Sequence, residues 1–251
     1  MDDLIKLIKK TLFIPIHPAG YPFITIFAIV AVLLAQASVH LGWVGLILTL
    51  WCVYFFRNPV RTTPVKPGLI ISPADGVISL IQQVPLPPEL DDCKGSAAAP
   101  TGDALCDADT VTRVSVFLNV FDVHVNRIAA DGEVKKVVYH PGKFLSANLD
   151  KASLENERST VLMKMTGYNT SVAFVQIAGL VARRIICKLA AGQQVRAGDI
   201  YGLIRFGSRV DIYLPPGVNP LVCLGQRMIG GETVIADMSA KEDARTGEVR
   251  G

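Results

Sequence analysis

The sequence predicts a mainly β chain of the α+β class, a β barrel or sandwich preceded by a helical, hydrophobic membrane segment. Three observations carry this. Residues 21–56 hold no Asp, Glu, Lys or Arg. From Asn58 onward, short β-rich runs alternate with turn residues at the spacing of a barrel or sandwich. No repeat of solenoid period underlies that pattern.

The N-terminus comes first. Residues 2–13 set Leu4, Ile5, Leu7, Ile8 and Leu12 beside Lys6, Lys9 and Lys10, a basic amphipathic pattern suited to an anionic surface. Two apolar stretches follow, 21–37 and 41–56, on either side of Ser38-Val39-His40. Each is near the lower length limit for a spanning helix. The three lysines precede the pair, and Arg57, Arg61 and Lys66 follow it. Positive charge on both outer flanks favours a hairpin with both ends in the cytoplasm. The alternative is a helical pair lying in one leaflet. A signal peptide fits poorly, because no small-residue cleavage site follows the first stretch. Either way, the remainder of the chain sits against lipid on the cytoplasmic side of the cell membrane.

Pro59, Pro64 and Pro67 make a stiff linker. Strands are expected at 76–81, 111–120, 132–139, 160–165, 171–177, 184–189, 200–204 and 210–214, with one helix over 146–157. Residues 85–109, rich in Pro, Ala, Gly and Asp, read as a mobile insertion. The tail after Asp237 is polar and reads as frayed. The chain thus divides into a membrane-associating segment (1–66), a β-rich domain (67–236) and a tail (237–251).

Composition excludes some functions. A net charge of +3 gives a nucleic-acid partner no electrostatic support. The five cysteines contain no C-x-x-C pair, so no metal site is expected. Cys93 and Cys106 are placed to bridge a loop, but free thiols of a reducing compartment are the preferred reading.

Gly207-Ser208 is the most informative dipeptide. It interrupts a run of strand composition between Ile200-Tyr201-Gly202-Leu203-Ile204 and Val210-Asp211-Ile212-Tyr213-Leu214. A Gly there marks a bulge, a bend or a close backbone approach, where a peptide bond can be held in a strained shape. The serine hydroxyl would lie beside the carbonyl that precedes it.

Two turns share a design, Ser72-Pro73-Ala74-Asp75-Gly76 and Val195-Arg196-Ala197-Gly198-Asp199. They resemble the barrel-sandwich folds of biotinyl and lipoyl carrier domains, a likeness of fold and not of chemistry. Neither turn offers the exposed lysine that a carrier needs.

Six blocks in order carry a further resemblance: Phe55-Phe56-Arg57-Asn58-Pro59; Ser72-Pro73-Ala74-Asp75-Gly76; Phe121-Asp122-Val123-His124-Val125-Asn126-Arg127; Tyr139-His140-Pro141-Gly142-Lys143-Phe144; Asn156-Glu157-Arg158; and Phe206-Gly207-Ser208-Arg209-Val210-Asp211. With the membrane segment, these resemble the phosphatidylserine decarboxylase proenzymes in their short bacterial form. The resemblance implies that Ser208 Oγ attacks the Gly207 carbonyl, that an N-to-O acyl shift and β-elimination cut the chain between 207 and 208, and that loss of ammonia leaves a covalent pyruvoyl group at 208. Glycine suits position 207 because it has no Cβ and tolerates unusual φ. A large subunit (1–207) and a small one (208–251) would form a heterodimer, and the resemblance implies a further dimer of it. The pyruvoyl ketone would take the amine of phosphatidylserine as a Schiff base and act as the electron sink for decarboxylation.

The same resemblance assigns His124 as the base for self-cleavage and Asp75 as the residue that orients it. The plainer readings are a strand histidine bonded in a turn and a turn aspartate before Gly76. His140 is the reserve base. Longer bacterial members carry a second histidine three residues after the first; here that place is Arg127, which cannot serve as a base. Arg127 and Arg209 are candidates for binding substrate phosphate or carboxylate, against structural ion pairs. Two alternative functions stand beside this one: the same chemistry on an ether-linked archaetidylserine-type lipid, and a non-catalytic, membrane-anchored barrel-sandwich module.

Overall fold

The computed structural model describes residues 14–93, 102–142, 155–179, 184–205 and 207–250. Helices α1 (Tyr21–Ala37) and α2 (Val39–Phe55) form an antiparallel hairpin that turns at Ser38. Small residues decide how closely they pack: a Cβ added to Gly45 would lie 2.6 Å from Ala31 Cα, and one added to Gly42 would lie 2.7 Å from Ala35 Cβ. Such stripes let helix backbones approach where no water drives association. The outer faces are apolar and bare, with Leu33 64% and Trp43 61% exposed. That exposure separates the pair from the core of a water-soluble bundle. Residues Pro18–Ala37 are long and apolar enough to cross a membrane by length and composition.

Both ends of the hairpin meet at its base. His17 N–H donates to Phe56 O (2.8 Å), and Asn58 N–H to Pro15 O (2.7 Å). The chain therefore enters and leaves the apolar hairpin on one side.

The strands in chain order are β1 (Leu69–Ile71), β2 (Gly76–Val84), β3 (Val111–Leu118), β4 (Val125–Arg127), β5 (Gly132–His140), β6 (Arg158–Met165), β7 (Ser171–Ala178), β8 (Ile185–Cys187), β9 (Gln194–Val195), β10 (Ile200–Ile204), β11 (Ser208–Tyr213), β12 (Arg227–Met228) and β13 (Val234–Asp237). Eight form one curled antiparallel sheet, a half-barrel, in the order β12-β2-β3-β11-β7-β6-β5-β9. A three-stranded sheet, β4-β10-β8, packs beneath the hairpin, and β1 pairs with β13. All eight runs expected from the sequence fall on strands. The remaining five strands have two to four residues each, too few to show an alternation of polar and apolar positions.

The main core fills the concave face of the half-barrel with Val114, Val116, Phe174, Val210 and Ile212 among others. A smaller cluster on the other face corrects two expectations. Pro88–Cys93 forms a 3-10 turn, and Ala104–Asp107 a short helix, α3. Leu90, Cys93, Leu105 and Cys106 are buried against Leu162, Val175 and Ile177, and Cys93 is disulfide-bonded to Cys106. Both flanks of the insertion are thus docked rather than mobile, and these two cysteines are not free thiols. The composition of 85–109 hid this, because four apolar side chains scattered among small residues suffice to anchor both flanks. Residues 2–13 and most of 146–157 fall outside the described residues. The tail has no regular element; Arg245 ties it down through Nη1 to Leu221 O (3.1 Å).

Candidate active site

Gly207 is a corner between two sheets. β10 belongs to the three-stranded sheet, while β11 lies between β3 and β7 in the half-barrel. The interruption read in the sequence is therefore a strand switch. Gly207 holds φ at +74°, and a Cβ placed there would meet nothing within 4 Å apart from its chain neighbours. Glycine is required here by backbone conformation rather than by crowding. Phe206, next to it, lies outside the described residues.

Three groups converge on this corner. The Gly207 carbonyl accepts a hydrogen bond from the Gly179 N–H at 3.1 Å. The Gly207 N–H donates to His124 Nε2 at 3.1 Å. Ser208 is fully buried, and its Oγ has no hydrogen-bond partner among the described residues. A buried hydroxyl without a partner is costly, and natural structures keep few of them. A donor on the Gly207 carbonyl, an imidazole beside the Gly207 amide and a buried hydroxyl one residue on are parts that an intramolecular acyl shift could use.

His124 is positioned by the tight turn that precedes it. Asp122 Oδ2 accepts from Asn119 N–H (2.9 Å), and Asn119 Oδ1 accepts from Phe121 N–H (2.8 Å). The carbonyl of Asp122 then takes the His124 Nδ1 proton at 3.0 Å. That bond leaves Nε2 as the bare acceptor facing Gly207. The ring is fully buried and lies 4.4 Å, centroid to centroid, from Phe55 at the end of α2. Burial, chiefly, and then the charge of Arg57 lower the His124 pKa to about 4, against the raising effect of the Asp122 carbonyl. The imidazole is therefore neutral at physiological pH, as a base must be. Arg57 also ties the hairpin to this turn, donating to Phe121 O (2.7 Å) and Tyr54 O (2.7 Å).

Asp75, expected to orient the base, is bonded elsewhere. Its carboxylate accepts from Arg61 Nη2 (2.6 Å) and from Gly230 N–H (2.7 Å), and makes no hydrogen bond to His124. Burial raises its pKa, more than Arg61 and the Gly230 amide lower it. The backbone carbonyl of Asp122 occupies the place that triad logic gave to Asp75. His140 is exposed at the end of β5, three strands from β11, or about 14 Å at the usual strand spacing. It is not near the corner.

Both candidate substrate-binding arginines are committed to structural contacts. Arg209 is fully buried and holds Asp211 through Nε (2.8 Å) and Nη2 (2.9 Å). As the next residue along a strand, it points to the opposite face from Ser208. Arg127 donates to Gly198 O (2.8 Å) and Pro59 O (2.9 Å), stapling the linker to a turn.

Sequence reasoning gave no role to several residues here. Asn156 Nδ2 donates to Ala178 O (2.7 Å), and the Ala178 N–H donates to Glu157 O (2.9 Å). Together they fix the strand end whose next amide, that of Gly179, holds the Gly207 carbonyl. On the inner face of β7, Gln176 lies diagonally across from Ser208 and donates to Asn126 Oδ1 at 2.8 Å. Asn126 Nδ2 and Gln176 Oε1 are buried without partners. The blocks Phe55–Pro59 and Asn156–Arg158 were visible in the sequence, but nothing in them told which backbone group each side chain would reach.

The chain resembles known proteins over nearly its whole length. The family model for phosphatidylserine decarboxylase matches residues 48–236. A phosphatidylserine decarboxylase proenzyme of Paramagnetospirillum magneticum is 54% identical over 243 residues, covering 97% of this chain and 95% of its own. That of Rhodospirillum rubrum is 52% identical over 242 residues, covering 96% of this chain and 97% of its own. That of Cereibacter sphaeroides is 50% identical over 236 residues, covering 94% and 95%.

Proposed function

Because the chain belongs to the phosphatidylserine decarboxylase family, we propose that it decarboxylates phosphatidylserine to phosphatidylethanolamine at the membrane, after cutting itself between Gly207 and Ser208. The observation that carries this is the corner at Gly207, where a left-handed glycine, its bonded carbonyl and a buried, unpartnered serine hydroxyl meet a neutral histidine. The residues fit a pyruvoyl group made in place, since Ser208 Oγ is the atom that must attack and then leave.

In this reading, His124 Nε2 gives up the Gly207 N–H and takes the Ser208 Oγ proton. Oγ adds to the Gly207 carbon, and the Gly179 N–H holds the developing oxyanion. The C–N bond breaks to an ester, with His124 returning its proton to the Ser208 nitrogen. Elimination of the Ser208 α-proton and Cβ–Oγ bond frees the Gly207 carboxylate and leaves dehydroalanine; water adds and ammonia departs. The resulting ketone supplies an electron sink for the substrate's carboxylate.

The fold keeps the two pieces together. β11 is paired along its whole length with β3 and β7, so the small subunit, 208–251, contributes an interior strand to the large subunit's sheet. The apolar hairpin would hold the domain against the bilayer, and the basic flanks support the cytoplasmic face as its side. A further dimer of the heterodimer belongs to the proposal on family resemblance alone.

Intact mass on the purified protein, with Ser208→Ala alongside, tests this. The expected result is two fragments meeting at 207/208, the smaller lighter than a serine-started peptide by the replacement of an amino group with a keto oxygen, and one intact chain for the variant. A single full-length chain in both samples refutes it.

A further inference from the structure

Three cations gather where the hairpin meets the domain, and none has an ion-pair partner among the described residues. Arg184, just before β8, and Arg205, just after β10, sit opposite each other: the Arg205 N–H donates to Arg184 O at 3.3 Å, continuing the register that pairs Ile204 with Ile185. Like charges directly opposed across strands are destabilising. Lys188 is on the same strand edge, four residues on. Burial first, then the charges of Lys188 and Arg205, hold the His17 imidazole below its usual pKa. Arg205 lies over the Phe23 ring, 4.9 Å from its centroid, and its Nε is buried without a hydrogen-bond partner among the described residues. Arg184 and Lys188 are exposed. Glu157, the acid that touches this strand, accepts from the Ile185 N–H (3.1 Å) and forms no ion pair with the three cations. The cluster is adjacent to the chemistry, since Ile204 N–H donates to His124 O (3.2 Å) and Gly207 N–H to His124 Nε2 (3.1 Å), with Arg205 between them.

We propose that Arg205, Arg184 and Lys188 seat the phosphodiester of the lipid substrate, at the depth where the apolar hairpin gives way to the domain. This rests on the decarboxylase reading above. An uncompensated cation pair at a lipid-facing edge is a site for an anion, and Arg205 offers a planar fork suited to phosphate. The phosphate is the anion common to substrate and product, and it lies a few bonds from the amine that must reach position 208. Aromatic rings at the hairpin base, Phe23 and Phe56 stacked at 5.6 Å, would hold the glycerol end on the apolar side.

The test compares Arg205→Gln, Lys188→Gln and the charge-keeping Arg205→Lys with wild type. On the mature enzyme in mixed micelles, Arg205→Gln should raise KM for phosphatidylserine about tenfold or more and leave KM for a phosphate-free O-alkylserine unchanged. On the Ser208→Ala proenzyme, which cannot mature, calorimetric titration with glycerophosphoserine should show the same loss of affinity, with Arg205→Lys intermediate. Inorganic phosphate should bind more weakly than glycerophosphoserine; equal affinity would point to a free-phosphate site and overturn the proposal. So would equal effects on both lipid substrates, or unchanged glycerophosphoserine affinity in Arg205→Gln. Slowed self-cleavage with unchanged KM would also overturn it, assigning the cations to the new Gly207 carboxylate. If wild type never matures, the decarboxylase reading fails while the titration still decides this one.

Discussion

Acidification should act on the candidate site through His124. His124 is buried in a pocket closed by Phe55, with its Nδ1 proton on the Asp122 carbonyl. Its pKa falls from the usual 6.5 to about 4, worth about 3 kcal/mol at roughly 1.4 kcal/mol per pH unit. The unfolded chain binds a proton at His124 more readily than the folded one does. Its stabilising contribution is therefore complete above about pH 6.5 and is lost progressively as the pH falls toward 4. Thermal unfolding of the detergent-solubilised Ser208→Ala proenzyme, with and without His124→Gln, isolates this from the carboxylates. Between pH 7.5 and 4.5 the parent should lose about 2.5 kcal/mol more than the double variant. Self-cleavage, if His124 Nε2 is its base as proposed, should hold its rate down to about pH 5 and halve near pH 4. A half-maximal rate near pH 6.5, or identical pH slopes for the two proenzymes, would refute the buried, neutral base.

Three further outcomes follow from particular contacts. Gly207→Ala should fold and self-cleave roughly 5 to 30 times more slowly, because only the left-handed φ, about 1–2 kcal/mol, opposes it; time-resolved gel analysis measures this. Arg209→Ala should destabilise the proenzyme by about 3–5 kcal/mol by removing the two-bond partner of buried Asp211 and leaving Arg113 at 3.9 Å to face it, whereas Arg209→Met with Asp211→Leu should recover most of that and still self-cleave, as denaturation and mass together would show. Cys93→Ser should lower stability by about 2–4 kcal/mol in oxidised protein and leave cleavage intact, and the difference should vanish when both samples are reduced.

Much of this was legible in the sequence because it rests on local chemistry. An uncharged apolar stretch can only be a membrane element or a core, and eight β-rich runs were long enough to show themselves. Gly207-Ser208 announced a corner, and the six ordered blocks announced the chemistry. Roles that depend on distant neighbours were not legible. Asp75 reads in the sequence as the partner of a histidine; in the fold, Arg61 reaches it first and a backbone carbonyl replaces it. Arg209 reads as a ligand for the substrate beside it, but strand alternation turns it to the opposite face, toward Asp211. Backbone donors such as the Gly179 amide carry no residue signature at all.

The sequence by itself therefore determined the apolar segment and the β class, which follow from hydropathy and alternation, and singled out the dipeptide proposed to react, through its place in a broken strand run and in the six ordered blocks. Only the tertiary structure decided which groups surround that dipeptide. β4, β7 and the base of the hairpin converge on Gly207 from positions more than 25 residues away in the chain, and sheet pairing and burial fix which of their atoms arrive within hydrogen-bond reach.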